Sequence, residues 1–456
     1  MPEVSTSPID APIATPTPSS TSAVSYYGSP GSELSLISST SPGIDLLVED
    51  HDTFSFEITT LDLPVQDYWP AFTFSPTIPP YLHYDDVWRD VRTLLPPSLR
   101  EVLCHYEYTT SLTHAIDDPA KAAWQSCVPE LARNHQYLVD CVLSVASLHL
   151  GRLRENSEER AKMNNIAAAR MNKAIASYRL ELENVTQENA AALFASVTLT
   201  AVYLFRTSAI DIENLRASIT PGTVIPRQDV IDKMLSYAIR TIHGLRGPLT
   251  VLMSGWNYVV GGKMQHVAAR KWWPTDCMPA TSRAVEEDRR LQRLEELWTG
   301  SEEGPRSVEL SQALSILREV YALISHLTLP WTYPPMTAVP YSVDDSTVGT
   351  LTDRGAIFVW AARISREYLQ LVEARDPSAL IILAHYAVLP GRVRNVWWLE
   401  GLGADVVTAI AMALGRESWS LLEWPASVVG VDLENAFGAR TDRLAGQLEE
   451  MGMEVI

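Results

Sequence analysis

Two stretches decide the fold: residues 138–150, LVDCVLSVASLHL, and residues 191–205, AALFASVTLTAVYLF. In the first, Leu138, Cys141, Val142, Val145, Leu148 and His149 recur at three- and four-residue spacing, which places them on one stripe of a helix. In the second, Ala191, Phe194, Val197, Leu199, Val202, Tyr203 and Phe205 cover several sides of the helix, so that element is expected in an interior. Working outward, Ser98 with Glu101 is a capping-box pattern ahead of Leu99, Val102, Leu103 and Tyr106. Asp118-Pro119 is an N-cap with a first-turn proline, opening a short helix toward Leu131. Residues 157–182 predict a long helix rich in Ala, Met and Arg. Further helices are expected at 227–244, 249–265, 282–299, 305–327, 350–373, 377–389, 391–415 and 432–451. Polar or Pro-rich connectors separate them at 208–226, 274–281 and 330–345. No alternating hairpin pattern and no fixed-period repeat is visible. The expectation is an all-α fold: one large helical domain over residues 98–456, built of roughly 12 helices.

The chain ahead of that domain has another character. Residues 1–43 hold twelve Ser, five Thr and seven Pro, a composition that cannot bury enough apolar surface to offset ordering entropy. Residues 44–74 then mix acids with Phe54, Phe56, Tyr68, Trp69, Phe72 and Phe74. Acidic-hydrophobic alternation is the composition of disordered activation segments; an extended arm packing its aromatics on the body is the alternative. Residues 1–97 are therefore expected to form a disordered, acidic-aromatic arm. The formal net charge of −19 divides to match: residues 1–88 contain no Lys or Arg and carry −12, and the other 368 residues carry −7.

That distribution disfavours direct binding of nucleic acid, whose affinity comes largely from displacing counterions with clustered Lys/Arg. No uninterrupted apolar run reaches the roughly 18 residues of a spanning helix, and the N-terminus lacks the pattern of a signal or transit peptide. The expected location is the nucleus, the cytoplasm or both. Arg270-Lys271 and Arg289-Arg290 are too short to read as localisation signals. Cys104, Cys127, Cys141 and Cys277 contain no C-x-x-C pair, so they read as small core hydrophobes rather than zinc ligands. No metal and no cofactor is expected.

Motifs for chemistry are sparse. Gly261-Gly262 lacks the Lys-Ser/Thr of a phosphate loop, Ser254-Gly255 lacks the glycine of a nucleophile elbow, and no H-E-x-x-H occurs. Asp85, Asp86 and Asp90 look like the acidic magnesium-binding runs of terpene cyclases, yet carboxylates at a helix start also simply favour the dipole. His105, His114, His135, His149 and His385, scattered among apolar helices, read as hydrogen-bonded core residues. The aromatic set Trp256, Tyr258, His385, Tyr386, Trp397 and Trp398, with Trp272-Trp273, serves equally as core filler or as the wall of a hydrophobic pocket.

Several blocks resemble the regulatory domain that follows the binuclear zinc cluster in fungal-specific transcription factors, with the nearest likeness to the sterol uptake control protein type. They run from Val102-Leu103-Cys104-His105-Tyr106 through Val128-Pro129-Glu130-Leu131-Ala132 to Leu143–Leu150, then Asn184–Asn189 with Ala192–Ala195. Leu245-Arg246-Gly247 through Trp256 to Gly261, and Leu380–Leu389 with Trp397-Trp398-Leu399-Glu400-Gly401 and Trp424-Pro425, complete them. In order they cover most of residues 98–430. The resemblance implies an all-helical domain with a transcriptional role and, in the sterol type, a hydrophobic pocket for a lipid. The six closely spaced cysteines and the basic segment of the zinc cluster are not matched in this chain, so DNA recognition is not carried over. The resulting expectation is a regulator or coregulator of fungal metabolism, specialised metabolism included, that binds a hydrophobic small molecule or a protein partner. That partner would be transcription machinery or a DNA-binding protein, and a homodimer face is a further expectation. The ranked alternatives are an enzyme of specialised metabolism, such as a terpenoid cyclase on the same helical body, and a scaffold without catalysis.

Overall fold

A computed structural model describes residues 86–436, apart from 221, 224, 270–276, 300–303, 331–348 and 394–395. The expected arm, with Phe54, Phe56, Tyr68, Trp69 and Phe72, lies outside the described residues, as do Asp85 and Trp272-Trp273. The described body is helical almost throughout, as expected. Helices α1 (Arg89–Leu94) and α2 (Pro97–His105) come first, then α3 (Asp118–Ala122) and α4 (Val128–Ala132) with π-helical turns ahead of each. Three long helices follow, α5 (Gln136–Arg152), α6 (Ser157–Glu181) and α7 (Ala190–Ala217). Next come α8 (Gln228–Val260), the single turn α9 (Gln265–Ala268), α10 (Ser282–Arg293) and α11 (Pro305–Leu327). A three-residue antiparallel ladder joins β1 (Thr328–Pro330) to β2 (Gly349–Leu351). The chain then forms α12 (Phe358–Arg363), α13 (Arg366–Glu373), α14 (Pro377–Arg392), α15 (Leu402–Leu414) and α16 (Trp419–Val429).

Local chemistry explains the best-defined elements. Asn156 caps α6 by accepting from the Glu158 N–H, and Glu158 and Glu159 sit at the positive end of the helix dipole. Its buried residues Met163, Ala167, Met171, Ala174 and Tyr178 follow helical spacing and pack on α5, where Ser144 Oγ donates to the Ala167 carbonyl. Asp376 caps α14 by accepting from the Ser378 and Ala379 N–H groups, with Pro377 preset in the first turn. Helix α7 is the hub: it packs against α5, α8 and α15. Its buried residues include Ala192, Leu193, Ala195 and Leu199. Helices α14 and α15 approach closely because Gly391 and Gly403 meet; a Cβ on Gly403 would lie 2.6 Å from both the Ala387 carbonyl oxygen and Gly391 Cα.

The structure departs from the sequence expectations at several points. Helix α2 starts at Pro97 with Pro96 as its cap, so Ser98 caps nothing. Asp117, not Asp118, caps α3, accepting from the Ala120 N–H. The core already includes Trp88, Val91 and Leu95, ahead of Pro96. Helix α7 runs on through the expected connector to Ala217. The two helices expected around Pro248 are one, α8, which bends instead at Gly255 (φ −130°, ψ 23°). There Val185 Cγ1 comes within 2.7 Å of where a Cβ would stand. The expected helix over 350–373 is divided into β2, a 3₁₀ turn and two short helices. The expected helix over 391–415 begins only at Leu402. Helix α16 was not anticipated, and of the helix expected at 432–451 the described residues show only a 3₁₀ turn at Leu433–Asn435. By length and mean hydropathy, Ala190–Ala217 and Trp397–Leu414 would be long enough to cross a membrane, but most of each is buried within the protein, as core segments are.

Candidate functional site

A narrow crevice opens where four helices converge. Phe205 of α7, Thr241 and Ile242 of α8, Tyr386 and Ala387 of α14 and Leu402 and Val406 of α15 line it, together with Leu399 of the segment between α14 and α15. Counting its open mouth, the space between atoms there is about 280 Å³, and the interior has room for about one water molecule. The wall is almost wholly apolar. Thr241 Oγ1 donates to the Ala238 carbonyl of its own helix, and burial pushes the Tyr386 phenol well above its usual range.

The six aromatic candidates do not form one site. Trp256 and Tyr258 are 38% and 44% exposed on the distal end of α8 and are not among the residues lining the crevice. His385 is buried, but its ring stacks on Trp424 at 5.6 Å and its Nδ1–H donates to the Ile381 carbonyl at 2.8 Å. Desolvation holds this imidazole neutral, pulled down to about 4. Tyr386 does reach the crevice, stacking on Trp360 at 4.4 Å. Trp397 and Trp398 are not on a helix interior, contrary to the expectation; they belong to an irregular strap, Val396–Gly401, with one 3₁₀ turn at Trp397–Leu399. A left-handed Gly401 (φ +79°) ends the strap and starts α15, a backbone that a residue with a Cβ adopts only under strain.

The strap ties the crevice to the N-terminal helices. Trp397 stacks on His149 of α5 at 4.5 Å, nearly parallel, and its Nε1–H donates to Thr113 Oγ1 at 2.9 Å. Trp398 stacks on Phe205 of α7 at 5.5 Å. Glu400 accepts a two-pronged bond from Arg152 Nε and a terminal nitrogen at 2.6 and 2.9 Å, with Arg206 4.0 Å away. Behind Trp397, His149 Nδ1 shares a 3.0 Å hydrogen bond with Thr110 Oγ1 and faces the His105 ring at 5.0 Å. Burial, then the neighbouring His105 and Arg152, pulls His149 down to about 3. His149 and His385 are thus hydrogen-bonded core histidines, as expected. Cys141 is buried and burial pushes its thiol up to about 12, which fits a small hydrophobe.

Sequence reasoning missed Phe205, Thr241, Leu399 and Leu402 as lining residues. The resemblance block Trp397–Gly401 held one of them, Leu399, in plain view, but the expectation of a continuous helix concealed the strap. Asp86 accepts from the Trp88 N–H and pairs with Arg92, and Asp90 pairs with Arg133. Both carboxylates are engaged by arginines, and no group of three metal-ligating side chains occurs among the described residues.

Over 341 residues the chain is 28% identical to a Zn(2)-C6 fungal-type transcription factor of Gibberella zeae, a match covering 72% of this chain and 61% of that protein. The chain is similar to a fungal transcription factor. It spans about three fifths of the length of that relative. No family model matches the chain.

Proposed function

We propose that this chain is a fungal transcriptional regulator whose helical body responds to an apolar small molecule or a protein partner. The similarity to the Gibberella zeae transcription factor carries the regulatory part. The apolar crevice between α7, α8, α14 and α15 supports the responsive part, because it lies where four long elements could be shifted together. The sterol uptake control type remains the family branch proposed from the resemblance, and the nucleus the proposed site of action. The chain has four cysteines, so a six-cysteine zinc cluster is not contained in these 456 residues. The acidic-aromatic residues Phe54, Phe56, Tyr68, Trp69 and Phe72 are the proposed activation arm.

Fusing residues 1–90 to a heterologous DNA-binding domain tests the arm: reporter activation is expected, and output equal to that of the DNA-binding domain alone would remove the arm from the proposal. The enzyme alternative is met separately by incubating the full chain with Mg²⁺ and prenyl diphosphates. No product is expected, given that Asp86 and Asp90 are held by arginines; product formation would overturn the regulator reading.

A further inference from the structure

Several arginines of the body each hold a carboxylate of their own: Arg240 holds Asp211, Arg306 holds Asp376, Arg363 holds Glu319 and Arg375 holds Asp232. The outer side of α10 breaks that pattern. Arg289, Arg290 and Arg293 all turn to the single carboxylate of Glu286, at 3.6, 3.5 and 3.7 Å. Among the described residues no other acid pairs with any of the three. Glu287 and Asp288, next along the helix, are engaged by Arg392 and Arg318, and the exposed Glu296 lies beyond ion-pair distance of all three. The Arg289, Arg290 and Arg293 side chains are 67%, 44% and 64% exposed. One carboxylate at such distances satisfies little of three guanidiniums, so most of their donors face water. Apolar residues stand at both ends of the row: Val285, one turn before Arg289, and Leu297, in the 3₁₀ turn after Arg293, are exposed. Residues 44–74 have the complementary make-up. They carry seven acids and no Lys or Arg, set among Phe54, Phe56, Tyr68, Trp69, Phe72 and Phe74.

We propose that the arginine face of α10 is the docking surface of the chain's own acidic-aromatic segment, residues 44–74. The segment's carboxylates supply the partners that Glu286 alone cannot, and its rings pack on guanidinium planes and on Val285 and Leu297. The occupant is this segment rather than a separate acidic protein because the tether keeps it at an effective concentration on the order of millimolar. The residues between Phe74 and Asp86 extend to about 40 Å, which reaches over much of a body this size. Ion pairs on an exposed face are weak and screened by salt, so a partner with a better apolar surface can draw the segment away. While docked, its aromatic residues are withheld from that partner. This consequence rests on the activation-arm reading above; the docking itself does not.

The test is hydrogen exchange of residues 44–74 in the full chain, sampled at sub-second times in low and in high salt. Exchange is expected to be several-fold slower in low salt. That difference is expected to vanish when Arg289→Glu, Arg290→Glu and Arg293→Glu are combined, and to shrink with the gentler pair Arg289→Gln and Arg293→Gln. All three side chains are exposed, and circular dichroism confirms that each variant folds. Exchange over 44–74 that ignores both variants would overturn the docking, whatever the arm does in a reporter. Protection that grows with protein concentration would give the face to the arm of a second copy. Retardation of duplex DNA that the triple variant abolishes would give it to nucleic acid, and either result overturns the proposal. In the reporter fusion the triple variant is expected to raise the output of the full chain several-fold. A fusion of residues 1–90 that activates nothing, with exchange responding as expected, would leave the docking standing and remove only the activation reading.

Discussion

At the residue scale, paired positions with different surroundings make the sharpest comparisons. Trp397 and Trp398 are adjacent and both buried, but only Trp397 has an acceptor, Thr113 Oγ1. Trp397→Phe is expected to lower stability by about 1 kcal/mol beyond the lost area, and Trp398→Phe to cost distinctly less, because it removes a donor already unsatisfied. Urea unfolding of the two variants checks this; equal losses would contradict it. Gly403→Ala places a methyl group against the Ala387 carbonyl and Gly391, and is expected to lower stability by roughly 1–3 kcal/mol in the same assay. The buried histidines set a pH dependence. His149 and His385 have folded-state values of about 3 and about 4, below the 6.5 of an exposed imidazole. Between those limits the unfolded chain binds more protons, so stability falls as pH drops from about 6.5 toward 4. Glu107 and Asp211, whose carboxyls burial pushes up, oppose this in part. The urea midpoint is expected to be lower at pH 5 than at pH 7; a higher midpoint at pH 5 would contradict the neutral-histidine assignment.

At the element scale, long continuous helices were legible in the sequence, and interrupted ones were not. Residues 157–182, read as one long helix from their Ala, Met and Arg content, form α6, which ends at Glu181. Helix α8 misled because Pro248 is a breaker by local rules, yet the helix passes through it and bends seven residues later, at Gly255 against Val185. That choice depends on which face meets α7, a tertiary fact with no local trace. The strap was hidden for a related reason: Trp397, Trp398 and Leu399 have no turn-forming residue among them, and their partners His149, Thr113 and Phe205 lie some 190 to 290 positions away in sequence, about the reach of a non-local contact that periodicity cannot show. Gly255→Ala is expected to destabilise the α7–α8 pair, since Val185 must move; pairing it with Val185→Ala should recover much of the loss. Thermal unfolding of the double variant no better than Gly255→Ala alone would show that the bend has another cause.

At the scale of the whole molecule, charge is divided unevenly between the first 88 residues and the rest. That division is readable from composition alone; where the aromatic residues of the expected arm act is not, because composition carries no partner. With −7 on the body and −12 ahead of it, the full chain is expected not to retard duplex DNA in a gel even at low salt, where non-specific attraction is strongest. Retardation that fades with added salt would reveal a basic surface at odds with the proposed division of labour.

The most direct test of the central claim is the output of a reporter driven by the full chain fused to a heterologous DNA-binding domain, measured in a fungal host. The account expects output clearly different from that of the DNA-binding domain alone, and expects Ala387→Phe, which fills the crevice, to fix it at one level. Output indistinguishable from the DNA-binding domain alone, with the fusion present and folded, would contradict a regulatory role for this chain.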